Sequence, residues 1–182
     1  MSKPTLILLN GPAGIGKTTI AQRYIDEHPL ALSVSGDDII IMLGQWLKHE
    51  NEARKMVYDF TCDMARRHLR AGHDVVLPYL VSKSDHAAAF ADLAKECGAA
   101  FVEILLTTDR TESVDRMFER GTWGEQGTEP LTDADKPIVE GLYDAVHASI
   151  VDRPEAAIIQ VVKGDIDGTY AEFIQHVTKA QA

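Results

Sequence analysis

Residues 6–19, LILLNGPAGIGKTT, place an aliphatic run directly before three glycines, a lysine and two threonines. The pattern predicts a buried strand over Thr5–Leu9 and a helix over Lys17–Asp26. The glycines between these elements let the backbone curl, so that several N–H groups point at one centre. Together with the N-terminus of the following helix, these N–H groups form a binding site for an anion such as a phosphate.

The spacing Gly11-x-x-x-x-Gly16-Lys17-Thr18 matches the phosphate-loop pattern in its required position between a strand and a helix. In this pattern the lysine reaches the β- and γ-phosphates of a nucleotide, and the threonine hydroxyl binds Mg²⁺. The sequence therefore predicts a site for ATP and Mg²⁺, with Lys17 as a catalytic cation and Thr18 as the metal ligand. The predicted nucleotide-binding residues of the loop are Gly11, Pro12, Ala13, Gly14, Ile15, Gly16, Lys17, Thr18 and Thr19.

Strand-like and helix-like segments alternate along the rest of the chain. Further strands are predicted at Ala31–Ser35, Asp74–Leu77, Phe101–Thr107 and Ala157–Val162. Further helices are predicted at Arg54–Ala71, Asp85–Cys97, Thr111–Arg120, Thr132–Ile150 and Thr169–Lys179. Continuous aliphatic strands that alternate with helices predict an α/β fold with a parallel sheet covered on both faces. Since no linker divides the chain, residues 1–182 are predicted to form one domain, with a glycine-rich flap at about residues 116–131.

The composition narrows the range of partners. The 182 residues carry a net charge of −10, which argues against binding to a nucleic-acid backbone. Cys62 and Cys97 lack metal-binding or redox spacing and are predicted to be free thiols in a reducing cytosol. The aliphatic run Leu6–Leu9 is too short for a signal peptide or a membrane span. We therefore predict a cytoplasmic protein with no nucleic-acid or membrane partner.

An acidic pair follows the second predicted strand, in the segment Ser35-Gly36-Asp37-Asp38-Ile39. The carboxyl ends of parallel strands face the ligand crevice, so these acids and Tyr79, which follows the third strand, are candidate acceptor-binding residues. An acid there can orient a hydroxyl group or accept its proton as that group attacks the γ-phosphoryl group. The structural alternative is that Asp37 or Asp38 caps the next helix.

Two arginines precede the glycine-rich segment. Arg116 and Arg120 lie four residues apart and share one helix face, from which they could close over the phosphates of a nucleotide. The alternative is a solvated face on which they form ion pairs with Glu112, Asp115 or Glu119. Arg153 precedes the fifth strand, and a local salt bridge to Asp152 or Glu155 explains it equally well.

Other features help to define the reaction. The chain lacks the Asn-Lys-x-Asp guanine-binding motif of GTPases, and the third strand lacks a terminal acid near the predicted metal. Residues 38–48 contain no arginine that could hold a phosphate on the acceptor. These absences from the sequence favour a kinase that acts on the hydroxyl group of a small molecule.

The chain resembles the small-molecule kinases of the phosphate-loop kinase family, which include adenylate, gluconate, shikimate and adenylylsulfate kinases, chloramphenicol phosphotransferase and the zeta toxins. The resemblance covers essentially the whole length. It implies a three-layer α/β/α sandwich whose five parallel strands have the order 2-3-1-4-5. It also implies acceptor binding by Asp37 with Asp38 as its neighbour, phosphate closure by Arg116 and Arg120, and an adenine border at Lys163 and Gly164.

Two short motifs are similar to a narrower group. Asn10-Gly11-Pro12 and Val76-Leu77-Pro78 resemble the corresponding segments of tunicamycin-resistance proteins. The predicted activity is transfer of the γ-phosphoryl group of ATP to a hydroxyl group, with Asp37 as the acceptor-side acid. The alternatives are an antibiotic-resistance or zeta-toxin-like phosphotransferase, and a non-catalytic ATP-dependent switch.

Overall fold

The fold is built on a parallel β-sheet, seen in a computed structural model that describes residues 3–181. In the described residues the strands are β1 (Thr5–Asn10), β2 (Leu32–Ser33), β3 (Val75–Pro78), β4 (Ala100–Thr107) and β5 (Ala157–Gln160). Their order across the sheet is β2-β3-β1-β4-β5, and every neighbouring pair is parallel. The predicted strand order and direction are confirmed.

Helices cover both faces of this sheet. Between residues 3 and 181 the α-helices are α1 (Lys17–Glu27), α2 (Gly36–Ile40), α3 (Glu50–Arg70), α4 (Ser84–Glu96), α5 (Arg110–Arg120), α6 (Lys136–Ile150) and α7 (Ile166–Gln181). Short 3₁₀ helices lie at Trp46–His49 and Asp133–Asp135. Not one of these helices combines the length and the apolar character needed to cross a membrane.

Strand β1 lies at the centre of the core, and Leu6–Leu9 have no solvent exposure. Its side chains alternate between two apolar clusters, as the two-residue repeat of a strand requires. Leu6 and Leu8 pack with residues of α3 and α4, whereas Ile7 and Leu9 pack with residues of α1 and α7. The predicted three-layer arrangement is therefore confirmed. The carboxyl end of β1, where the glycine-rich loop begins, emerges between the two layers of helices.

The elements that differ from the predictions lie mainly between β2 and α3. Strand β2 spans only Leu32–Ser33, because it is an edge strand that pairs with β3 alone. Helix α2, which carries Asp37 and Asp38, was not predicted, since its five residues are too few to show a helical repeat. Helix α3 begins at Glu50 rather than at Arg54.

Candidate active site

The loop between β1 and α1 has the backbone conformation that phosphate binding requires. Gly14 and Gly16 have φ angles of +75° and +103°, in the left-handed region where glycine is favoured. Helix α1 begins directly after the loop and has no acidic residue in its first turn. The free N–H groups and the positive end of the helix dipole therefore meet no competing carboxylate from this turn.

Lys17 lies over this loop. Its Nζ atom donates hydrogen bonds to the carbonyl oxygens of Gly11 and Pro12, both at 2.8 Å. Burial lowers the pKa of Lys17 to about 8, an effect that the negative charge of Asp37 opposes and the positive charge of Arg120 reinforces. These electrostatic effects require both side chains to lie near the lysine. The structure thus brings together three of the four residues predicted to be catalytic.

The predicted metal ligand also has a suitable position. Thr18 lies in the first turn of α1, and its side chain is exposed to solvent beside the loop. In the part of the chain from residue 3 to residue 181, no group of three or more His, Cys, Asp or Glu side chains could hold a metal ion. Mg²⁺ is commonly bound by one or two protein oxygen atoms together with the phosphates of a nucleotide. The exposed hydroxyl group of Thr18 fits this mode of binding.

Asp37 lies in the first turn of α2 and is exposed to solvent. Ser35 occupies the N-cap position of this helix, so the alternative of a capping role for Asp37 or Asp38 is wrong. Partial desolvation raises the pKa of Asp37, and the carboxylate of Glu125 raises it further. Nearby positive charges oppose the shift, in the order Lys17, Arg120 and Arg54. Asp37 therefore lies among charges from α1, α3, α5 and the flap.

Tyr79 lies directly after β3, at the carboxyl end of the parallel sheet. Its hydroxyl oxygen lies 2.5 Å from the hydroxyl oxygen of Thr61 on α3. Burial raises the pKa of Tyr79 to about 12, so the phenol remains protonated and can donate a hydrogen bond. A Cβ atom at Gly36 would lie 2.9 Å from the tyrosine hydroxyl, so the glycine allows α2 to approach this ring.

The two flap arginines have different surroundings. The Nε atom of Arg116 donates a 3.0 Å hydrogen bond to Oε1 of Glu112, within α5. The structure therefore shows the predicted ion pair with Glu112, but the Arg116 side chain is only 13% exposed and does not lie on a solvated face. The role of Arg116 in closure stays a prediction. Arg120 ends the same helix, is exposed, and affects the pKa values of both Lys17 and Asp37. Helix α5 extends through Arg120, so the irregular part of the predicted flap begins at Gly121.

The predicted adenine border lies beyond the end of β5. Lys163 forms a 3.0 Å ion pair with Glu119 of α5, and both side chains are more than half exposed. Gly164 is exposed and has a φ angle of +87°. Because an exposed ion pair of this kind is weak, Lys163 can exchange Glu119 for another partner at small cost. Contact of Lys163 and Gly164 with the nucleotide stays a prediction.

Arg153 makes a buried ion pair that the sequence did not suggest. Its Nη1 atom donates to Oε1 of Glu103 on β4 at 2.5 Å, and both side chains are less than a tenth exposed. The expected local pair with Asp152 or Glu155 is therefore wrong. Burial raises the pKa of Glu103, although a hydrogen bond from Asn10 and the positive charge of Arg153 oppose that shift.

Asn10 connects this ion pair to the phosphate loop. Its Nδ2 group donates to Glu103 at 3.1 Å and to the carbonyl oxygen of Val81 at 3.0 Å. Its Oδ1 atom accepts the N–H groups of Gly11 at 2.8 Å and Val81 at 2.9 Å. One fully buried side chain thus joins the start of the phosphate loop to the segment that follows Tyr79.

Glu125 and Arg54 also belong to the site, although sequence reasoning missed them. Glu125 is 9% exposed, and its Oε1 atom accepts a 3.2 Å hydrogen bond from Nη2 of Arg54. Arg54 also forms a 2.8 Å ion pair with Glu50 of its own helix. One signal could have identified Glu125, because the sequence Gly124-Glu125-Gln126-Gly127 places one acid between two glycines after the arginine helix.

These features define a phosphate-loop nucleotide-binding protein with a kinase-like fold. The sequence matches the family model described as an AAA domain (AAA_33) over residues 6–134, and the chain belongs to this family. A comparison of the sequence with curated proteins finds no significant match.

Solved structures with the same fold cover nearly the whole chain. Kti12 from Chaetomium thermophilum, in complex with ADP-AlF3, has a TM-score of 0.68 and 16% identity, covering 97% of this chain and 99% of that one. APS kinase from Mycobacterium tuberculosis, in complex with AMPPNP and APS, has a TM-score of 0.61 and 14% identity, with coverages of 98% and 99%. The tunicamycin resistance protein of Deinococcus radiodurans has a TM-score of 0.58 and 17% identity, with coverages of 97% and 95%. At these identities the likeness concerns the fold alone.

Proposed function

We propose that this protein is an ATP-dependent kinase that transfers the γ-phosphoryl group to a hydroxyl group of a small molecule. One observation carries the proposal, namely the proximity of Lys17, Asp37 and Arg120, inferred from the effects of their charges on the pKa values of Lys17 and Asp37. A phosphate loop alone serves many nucleotide-binding proteins, whereas an acid opposite the loop lysine suits a reaction with a hydroxyl acceptor. The fold that the chain shares with APS kinase supports the same proposal.

Each residue has a distinct part in the proposed reaction. The loop N–H groups and Lys17 hold the β- and γ-phosphates, and Thr18 holds Mg²⁺, which offsets phosphate charge when bound. Asp37 orients the acceptor hydroxyl and accepts its proton. Arg120 compensates the charge that develops on the transferred group. Most of the rate enhancement then comes from positioning and from charge compensation.

Tyr79 is the proposed acceptor-side hydrogen-bond donor. Its protonated phenol faces α2 beside Gly36 and shares a short contact with Thr61. Such a group can bind an oxygen atom of the acceptor without adding charge. Asp38 is exposed one residue beyond Asp37 and is proposed to contact the outer part of the acceptor.

The proposal is tested by measuring ADP release from ATP and Mg²⁺ with a panel of acceptors. The panel contains sugars, nucleosides, aminoglycosides, chloramphenicol, tunicamycin and nucleotide sugars. Wild-type protein is compared with Lys17→Ala and Asp37→Asn, and the matched control is Asp92→Asn, which changes an exposed carboxylate on α4. Acceptor-dependent release that requires Lys17 and Asp37 but not Asp92 would support the kinase.

The alternatives appear as outcomes of the same experiment. Release that depends on chloramphenicol or tunicamycin would favour a resistance enzyme, and release that depends on a nucleotide sugar would favour a toxin-like one. Tight ATP binding without any acceptor-dependent release would favour an ATP-dependent switch and would contradict the proposed kinase.

A further inference from the structure

The flap, residues 116–131, ends in a short loop with a closed base. The N–H group of Leu131 donates to the carbonyl oxygen of Gly121 at 3.0 Å, and Thr122 and Pro130 form an antiparallel bridge. These contacts fix the two ends of the loop beside α5. The part that reaches across the crevice is the flap tip, which we define as residues 124–128.

The flap tip lies against residues 47–54 through the side chain of Glu125 and the backbone of Gly127. The buried Glu125 accepts its 3.2 Å hydrogen bond from Arg54, in the first part of α3. Leu47 packs close to Gly127, because a Cβ atom at this glycine would lie 3.6 Å from the leucine Cδ1 atom. The hydroxyl group of Thr128 donates to the carbonyl oxygen of Glu125 at 2.8 Å and so orders the tip itself.

The same tip supports Arg120. Gly124 has a φ angle of +112°, and the guanidinium group of Arg120 occupies the position that a Cβ atom of Gly124 would take. The arginine therefore packs directly on the backbone next to Glu125. Movement of Glu125 away from α3 would remove the surface on which Arg120 rests.

We infer that Arg54 and Glu125 are positioning residues, whose ion pair fastens the flap tip to α3 and thereby places Arg120 beside Lys17 and Asp37. The role of Arg120 in transfer rests on the proposed function, whereas the fastening of the tip does not. The pair differs from the other exposed pairs of α3 because its carboxylate is buried. Loss of Arg54 would leave that buried carboxylate without its ion-pair partner, and the tip would open to hydrate it.

Hydrogen exchange measured by mass spectrometry tests the fastening without any need for turnover. The variants are Arg54→Gln and Arg54→Lys, in which the lysine retains the positive charge. The matched control is Glu50→Gln, which removes the pair within α3 but leaves the contact between Arg54 and Glu125. We expect exchange over residues 121–131 to be about fivefold faster in Arg54→Gln, close to wild type in Arg54→Lys, and unchanged in Glu50→Gln.

Kinetics test the link to Arg120. We expect Arg54→Gln to lower kcat about tenfold, with the KM for ATP within about twofold of wild type, because the phosphate loop is untouched. Arg54→Lys should recover most of the lost kcat. A general loss of structure would instead lower thermal stability and weaken ATP binding at the same time.

Two results would overturn the inference. Equal exchange over residues 121–131 in Arg54→Gln and Glu50→Gln would refute the fastening. Faster exchange in Arg54→Gln with unchanged kcat would refute the placement of Arg120. Failure of the proposed function is distinguishable from both results. In that case the wild-type protein shows no acceptor-dependent ADP release, whereas the difference in hydrogen exchange between the variants still reports whether the flap tip is fastened to α3.

Discussion

Replacement of Arg153 by methionine should test how the buried ion pair stabilises the fold. Methionine has a similar length but no charge, so Arg153→Met leaves Glu103 buried with only the hydrogen bond from Asn10. Removal of one partner of a buried pair typically costs about 3–5 kcal/mol, because the remaining charge is uncompensated. The side chains of Arg153 and Glu103 are 9% and 5% exposed, so solvent screens little of this cost.

The expected cost converts to a change in the melting temperature. A chain of 182 residues has an unfolding entropy of about 0.4 kcal/mol per kelvin. The loss of about 3–5 kcal/mol therefore lowers Tm by about 8–13 °C near neutral pH. Thermal unfolding followed by circular dichroism measures this difference directly against wild-type protein under the same buffer conditions.

The dependence on pH separates a charge effect from a packing effect. Burial already raises the pKa of Glu103, and loss of Arg153 removes a charge that opposes this shift. In the variant, Glu103 should therefore take up a proton on moderate acidification, which removes the uncompensated charge. The penalty is thus fully present above the raised pKa and shrinks as the pH falls through it.

Measurements at about pH 7.5 and about pH 5 provide the decisive comparison. The double variant Glu103→Gln with Arg153→Met has no buried charge at this site, so it should recover most of the lost stability and lose the pH dependence. A decrease in Tm of less than about 3 °C at the higher pH would refute the reasoning. Equal decreases at the two pH values would refute it as well.

Three further predictions concern the crevice. Burial lowers the pKa of Lys17 to about 8, and ATP binding requires the charged form of this lysine. The affinity for ATP, measured by titration calorimetry, should therefore fall by up to about tenfold for each pH unit above about 8. An affinity that does not change with pH in this range would contradict the prediction. Asp37→Asn should lower kcat at least about 100-fold. In the wild-type protein kcat should fall on acidification at a pH above the usual aspartate pKa of about 3.9, and this decrease should be absent from the variant. Full activity of the variant would exclude the acid–base role of Asp37. Gly11→Ala should lower the free energy of unfolding by at least about 2 kcal/mol, because the new Cβ atom would lie 2.6 Å from the carbonyl oxygen of Leu106. In Gly16→Ala the new Cβ atom has no neighbour within 4 Å, so the loss should be smaller. Denaturant titrations measure both values.

The parts of the fold that were predictable from sequence depend on local patterns. The aliphatic runs of β1, β3 and β4 and the glycine spacing after β1 carry their structural meaning within a few residues. Helix α2 was missed because its apolar residues follow one another without a helical repeat, and its position is set by packing of Ile39 and Ile40 in the core. The start of α3 was placed too late, since its first three residues, 50–52, are exposed and polar.

The site was only partly predictable for a similar reason. Lys17 was identified from the glycine spacing of its loop, and Asp37 because it follows the end of a predicted strand. Glu125 and Arg54 are separated by 71 positions in the chain, and Arg153 and Glu103 by 50. No rule of local spacing connects such pairs, so the nearest acids in the sequence were chosen as partners for Arg153. The tertiary fold brings distant charges together, and burial then determines which of them pair.

The position of β1 in the sheet has a consequence for synthesis of the chain on the ribosome. This strand emerges before its partners β3 and β4, which begin at Val75 and Ala100. Until β3 and β4 have both emerged, the aliphatic segment Leu6–Leu9 of β1 has at least one unpaired edge, which is a condition that favours aggregation. Expression at reduced temperature or with added chaperones should therefore raise the soluble yield, because early nascent chains would be protected until the sheet can close around β1.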